Sequence, residues 1–154
     1  MPVSDLPVAN VKYWLTDTGC GHDLVSRKHV AKLGEMVKPS NNPLTFSTAN
    51  GATRAEEDIL LRVDELNEVI EPYVMASTPA VLSIGRRCLD FGYEFCWPAG
   101  KLPYFITPQG KKVALIVEDY IPYLPTKLAP RKLIAVASKR NIADVDLSLD
   151  DPPI

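Results

Sequence analysis

The chain has 154 residues, 46% hydrophobic and 23% charged, which is the composition of one globular domain with room for a tail and excludes a wholly disordered chain. No apolar run approaches the ~20 residues of a membrane-spanning helix, so no membrane partner is expected. A formal charge of −2 argues against a module held to nucleic acid through phosphate contacts. Fourteen prolines favour short strands and turns over a helical bundle. Three cysteines, Cys20, Cys88 and Cys96, form no C-x-x-C pair, so neither a disulfide framework nor a zinc ribbon is indicated. The first ten residues lack a basic patch followed by an apolar stretch, so no secretory leader is expected and a cytoplasmic setting is.

In chain order the signals are mostly those of strands. Val11–Thr16 is rich in β-branched and aromatic residues and runs into the turn Asp17-Thr18-Gly19. Ser26 is placed to cap a short helix over 27–33, with Gly34 as its stop. A polar loop bounded by prolines is expected over 38–43. Two strand-like runs, 44–49 and 52–63, flank Asn50-Gly51, and this pair suits a type I′ hairpin turn whose central residues both need positive φ. Residues 69–76 read as a strand, 79–85 as a short buried strand, and 86–91 as one or two helical turns. The segments 93–97, 104–107 and 112–118 read as a β-meander with proline and glycine at its turns. Beyond these, 125–154 has a basic first half and an acidic end, so the folded domain is expected within 1–124, followed by a flexible tail or linker. Trp14, Trp97, Cys88 and Cys96 are all expected to be buried.

The chemistry-bearing motif is Asp17-Thr18-Gly19. An apolar strand that ends on such a triplet delivers a carboxylate to a sheet edge on a turn that glycine permits. That arrangement suits two aspartates sharing one proton, one acting as base towards water and the other as acid towards a carbonyl. The neighbouring Cys20 and His22 leave a metal or Cys/His nucleophile site as a weaker alternative in a chain with only two histidines. The triplet alone would be an ordinary polar turn. It is joined, in order, by the Asn50-Gly51 hairpin and by the run Val81-Leu82-Ser83-Ile84-Gly85-Arg86.

Together these three elements resemble the retroviral-type aspartic proteases (retropepsins), most closely the protease domains of Ty1/copia-type retrotransposon polyproteins, over roughly residues 10–124. The resemblance implies an all-β, mainly antiparallel fold: a closed barrel with one or two short helices, completed as a homodimer. It implies that Asp17 is catalytic, with Thr18 and Gly19 completing the active-site loop. Ala49, Asn50, Gly51 and Ala52 would form the substrate-binding flap, and Ile84, Gly85 and Arg86 the supporting loop. With one D-T-G per chain, activity would require a two-fold homodimer. The expected activity is endoproteolysis of a polyprotein substrate, in the cytoplasm or within a virus-like particle, with no cofactor, no metal and no nucleic acid. The alternative is a non-catalytic dimerisation or peptide-binding module on the same fold. Cys20 stands where the family has alanine or serine, and Gly21 where it often has an acid.

Overall fold

The computed structural model describes residues 2–48 and 51–130. In chain order the first strands are β1 (Tyr13–Asp17), β2 (Leu24–Ser26), β3 (Lys38–Thr48), β4 (Gly51–Asp58) and β5 (Leu61–Val63). Then come β6 (Glu68–Ile70), β7 (Tyr73–Met75), β8 (Val81–Ser83) and the helix α1 (Ile84–Asp90). The last strands are β9 (Glu94–Cys96), β10 (Tyr104–Ile106), β11 (Lys112–Ala114), β12 (Ile116–Glu118) and β13 (Ile121–Pro125). The chain divides into two compact units, Met1–Asn10 with His22–Leu82, and Val11–Gly21 with Ser83–Ile154.

In the first unit the hydrogen-bonded order is β8-β2-β7-β4-β3. Every pairing there is antiparallel except β2 with β7, which run parallel with Leu24 opposite Tyr73. Val25, Ile59, Leu61 and Leu82 are wholly buried in its core. The hairpin β5–β6 is tied to the N-terminal segment by Arg62. Its main-chain N–H donates to the Pro7 carbonyl, and its guanidinium donates to the carbonyls of Ser4 and Leu6 and pairs with Asp64. Leu66 closes the turn, where Asn67 takes the left-handed conformation (φ 49°) that asparagine tolerates better than most residues.

The second unit holds two antiparallel three-stranded sets, β12-β13-β1 and β11-β10-β9. Phe105 at the centre of β10 is fully buried, with the rings of Tyr93 and Phe95 edge-on at 5.6 and 5.7 Å. The turn between β12 and β13 consists of Asp119 and Tyr120, both at positive φ (52° and 66°). This is the type I′ geometry that matches strand twist, here without glycine.

The mainly antiparallel β-architecture with short helices agrees with the sequence reading, and so does the meander as far as residue 114; the expected strand 112–118 breaks at Leu115, and β12 pairs with β13 in the other set. The closed barrel does not: among the described residues the ladders are linear, and the long β3 is left as an edge. Several boundaries also differ. The expected proline-bounded loop at 38–43 is instead the first half of β3, with its register shifted between Pro39 and Leu44. Proline is tolerated there because an edge strand has one side whose N–H groups need no partner. The run 52–63 breaks at Ile59-Leu60 into two strands, and 69–76 breaks at Glu71-Pro72. The helix after Ser26 is a kinked 3-10 segment, Arg27–Met36, with Val30 and Leu33 outside helical geometry. Only Val30 is buried on it, so packing does not enforce a straight α-helix. Trp97 and Cys88 are exposed and Cys96 is half-buried, whereas Trp14 is core. β13 runs through Pro125, and Thr126 behind it is buried, so ordered structure passes the expected boundary at 124. Residues 131–154, most of the expected tail, lie outside the described residues.

The 3-10 segment carries a pH-sensitive cap. The Ser26 N–H donates to His29 Nδ1 (2.9 Å), with Ser26 Oγ 3.1 Å from the same atom, so the ring is a neutral acceptor. Burial, reinforced by the positive charge of Lys28, holds the His29 pKa below its ordinary value. A depressed pKa contributes stability that is present above the unfolded-state value of about 6.5 and lost as pH falls through the folded-state value. His29→Gln preserves a side-chain acceptor for the Ser26 N–H. The wild type should therefore lose more stability than His29→Gln between about pH 7 and pH 5, measured by urea unfolding. Parallel losses in the two proteins would show that His29 carries no such linkage.

Candidate active site

β1 is a strand with two different faces. Trp14 and Thr16 are buried, while Tyr13, Leu15 and Asp17 on the alternate positions are half-buried. Its ladder with β13 runs from Tyr13 opposite Pro125 to Leu15 opposite Tyr123. Two threonine hydroxyls extend the attachment past both ends of that ladder. Thr126 Oγ1 donates to the Val11 carbonyl (2.6 Å), and Thr16 Oγ1 donates to the Pro122 carbonyl (3.0 Å). β1 is thereby pinned up to the residue before Asp17.

Asp17 is the last residue of the strand. The Gly19 N–H donates to Asp17 Oδ1 at 2.7 Å, the local bond by which aspartate closes a turn on its own main chain. A Cβ on residue 19 would stand 3.2 Å from that oxygen, a tight contact that the carboxylate would have to relieve by shifting slightly. One carboxylate oxygen is thus occupied, and Oδ2 has no hydrogen-bond partner among the described residues. Thr18 between them is exposed, and its hydroxyl makes no hydrogen bond among the described residues.

The loop after the triplet is held by α1. Ser83 caps that helix, its hydroxyl accepting the Arg86 N–H at 3.2 Å. Arg86 Nε then reaches the Gly21 carbonyl at 2.8 Å, four residues beyond Asp17, while its ion pair with Asp90 is loose at 4.0 Å. Ile84 is buried and Gly85 half-buried, and α1 packs against β1 and β9. Arg87, fully buried, donates to the Ser83 carbonyl at one end of the helix. Its own carbonyl accepts the N–H groups of Phe91 and Tyr93 at the other.

Of the residues singled out from the sequence, Asp17, Gly19, Ile84, Gly85 and Arg86 therefore lie in one connected arrangement, with Thr18 at its surface. The hairpin residues belong to the other unit. Ala49 and Asn50 lie outside the described residues. Gly51 is the first residue of β4, opposite Thr48, and like Ala52 it is exposed. Its φ of 112° is open to glycine and strained for other residues, but it belongs to the ladder and not to the central turn pair the sequence suggested. His22 belongs with aromatic rings of the first unit. No group of three potential metal ligands occurs among the described residues.

Thr16, Thr126, Ser83 and Arg87 support this arrangement and escaped the sequence reading. Ser83, directly before a helical run, carried a usable capping signal. The threonines carried none, because their partners lie more than a hundred residues away in the chain. Comparison with protein-family models and with curated proteins finds no match to this chain.

Thr16→Val keeps the shape of the side chain and leaves the buried Pro122 carbonyl without its donor. This should cost about 1–3 kcal/mol in urea unfolding. A variant as stable as wild type would show that the Thr16 bond does not hold the strand.

Proposed function

We propose that the chain is a homodimeric aspartic endopeptidase of the retropepsin type, processing a retroelement polyprotein of Gag-Pol kind. The observation that carries this reading is the Asp17 carboxylate, seated at a strand end with Oδ1 held by the Gly19 N–H and Oδ2 left for chemistry. Peptide hydrolysis by carboxylates needs a base and an acid at once. A single carboxylate cannot fill both roles, and the chain has only one D-T-G. A second copy related by a two-fold axis supplies the other. The exposed Thr18 is then available to bond across that axis.

In such a pair one aspartate is ionised and the other protonated. The ionised carboxylate takes a proton from a water as its oxygen attacks the scissile carbonyl carbon. The protonated partner gives its proton to the carbonyl oxygen. The tetrahedral gem-diol that results collapses by breaking the C–N bond, with a proton delivered to the leaving amine.

The arginine on α1 supports the same reading in a modified form. Where the family often has an acid to receive it, this chain has Gly21, and Arg86 binds that residue's main-chain carbonyl instead. The loop is anchored by a bond that does not depend on the side chain at 21, so the loss of the acid is not evidence against the site.

Asp17→Asn is nearly isosteric and unable to share a proton as a carboxylate. It should lower kcat/KM on a denatured protein substrate at about pH 5 by at least a hundredfold, with sedimentation and melting unchanged. Retained turnover in this variant would end the assignment. A wild-type chain that dimerises and never cleaves would favour the peptide-binding alternative.

Specific activity should also fall on dilution below the dimer dissociation constant, because each chain brings half of the site. Activity per mole that stays constant down to concentrations where sedimentation finds only monomer would be incompatible with a shared pair.

A further inference from the structure

The set β12-β13-β1 of the second unit has one face in the core and one turned out. Trp14 and Thr16 on β1, and Pro122 and Leu124 on β13, are buried. The alternate residues point the other way, and the register sets them side by side. Leu15 stands opposite Tyr123, and Tyr123 opposite Ile116. In the next row Ile121 stands opposite Glu118. Asp17 follows Leu15 on the same face of β1, and the Thr16–Pro122 hydrogen bond continues the alignment, so Asp17 comes level with Ile121.

A solvated face of an antiparallel sheet ordinarily carries polar residues. Leu15, Ile116, Ile121 and Tyr123 are half-buried or exposed here, Ile121 at 40%. The turn prolongs this apolar strip. Tyr120 is 92% exposed at φ 66°, where glycine would be less strained. Neither core packing nor turn stability accounts for an aromatic side chain at that point. Contiguous exposed apolar surface of this kind marks a site of interaction, and this strip borders the Asp17 carboxylate.

We propose that the strip is a substrate platform, on which Ile121 and Tyr120 of the β12–β13 hairpin select a large apolar side chain beside the bond to be cut. This rests on the reading of Asp17 as catalytic. A peptide whose carbonyl is attacked at Asp17 passes beside β13, one strand spacing of about 5 Å away. A phenylalanine or leucine side chain there covers Ile121 and Tyr120 and removes both surfaces from water, whereas alanine leaves them wet. An acidic side chain meets the Glu118 carboxylate on the far side of Ile121 and is rejected. A second copy of the chain is the rival occupant of this face. The position of Asp17 favours the peptide, because a copy seated on the whole strip would cover the approach to the carboxylate.

The test is binding of two alanine-based peptides, identical except that one carries a single phenylalanine, to the full Asp17→Asn chain, which cannot consume them. The phenylalanine peptide should bind about tenfold tighter. Adding Ile121→Ser should abolish most of that preference. So should Tyr120→Gly, which suits the positive φ and therefore keeps the hairpin folded. With Asp17 intact, both substitutions should move the cuts in denatured casein away from phenylalanine and leucine. Equal binding of the two peptides, or a preference untouched by either substitution, overturns the platform even if casein is cut. A preference that the substitutions abolish, in a chain that never cuts casein, ends the protease reading and keeps the platform as a peptide site. Loss of the dimer in sedimentation on Ile121→Ser assigns the face to a second copy and overturns the platform.

Discussion

Everything at the candidate site depends on one short hydrogen bond, from the Gly19 N–H to Asp17 Oδ1. It turns the chain immediately after β1, fixes the carboxylate relative to its own main chain and requires that residue 19 carry no Cβ without displacement of the oxygen. A local bond of this kind is only as well placed as the strand beneath it. β1 is pinned to its neighbour by a ladder and by the hydroxyls of Thr16 and Thr126, each aimed at a carbonyl that would otherwise be buried without a donor. Arg86 fixes the far side of the turn from a capped helix. The carboxylate thus stands between two anchored segments, and rigid placement of this sort is what positioned acid–base chemistry needs.

The first unit follows the opposite design. Its core is dense around Val25, Ile59, Leu61 and Leu82, yet its longest strand lies at an edge, broken in register and carrying two prolines. An edge of this kind resists further strand addition, because proline cannot donate and the irregularity spoils a flat template. The cost is a hairpin whose distal ladder cannot stabilise itself. Ion pairs of Lys38 with Asp58 and Glu71 hold the root, and ring contacts of Phe46 with His22 and Tyr73 hold the middle. These are weak contacts compared with the apolar burial behind β2 and β7.

Buried charge is used sparingly. Arg87 is the most deeply buried cation among the described residues, and it serves α1 at both ends by donating to one carbonyl and presenting another. Arg62 gathers the N-terminal segment in the same manner, through main-chain carbonyls and one aspartate. Guanidinium suits both tasks, since its fixed fork of donors can satisfy several acceptors at once.

What could be read from the sequence was the local chemistry. Strand propensity in 11–16, the turn at Asp17-Thr18-Gly19, the helical turns over 86–91 and the meander from 93 to 114 depend on residues close together in the chain, and the structure has each of them within about two residues. Errors came wherever tertiary position overrules local preference. Pro39 and Pro43 suggested a loop because proline is excluded from central strands, and only the edge location of β3 removes that objection. Trp97 suggested core by its size, and nothing local could announce that β9 ends at the surface. The threonines that pin β1 look ordinary in sequence, because a hydroxyl acquires meaning only from the carbonyl opposite it, and those carbonyls lie on the far side of the fold. The sequence by itself determined that the first strand ends on the turn Asp17-Thr18-Gly19, because strand propensity and turn chemistry are set by neighbouring residues. Only the tertiary structure decided what holds that turn still, since the holding groups are contributed by chain segments that folding alone brings together.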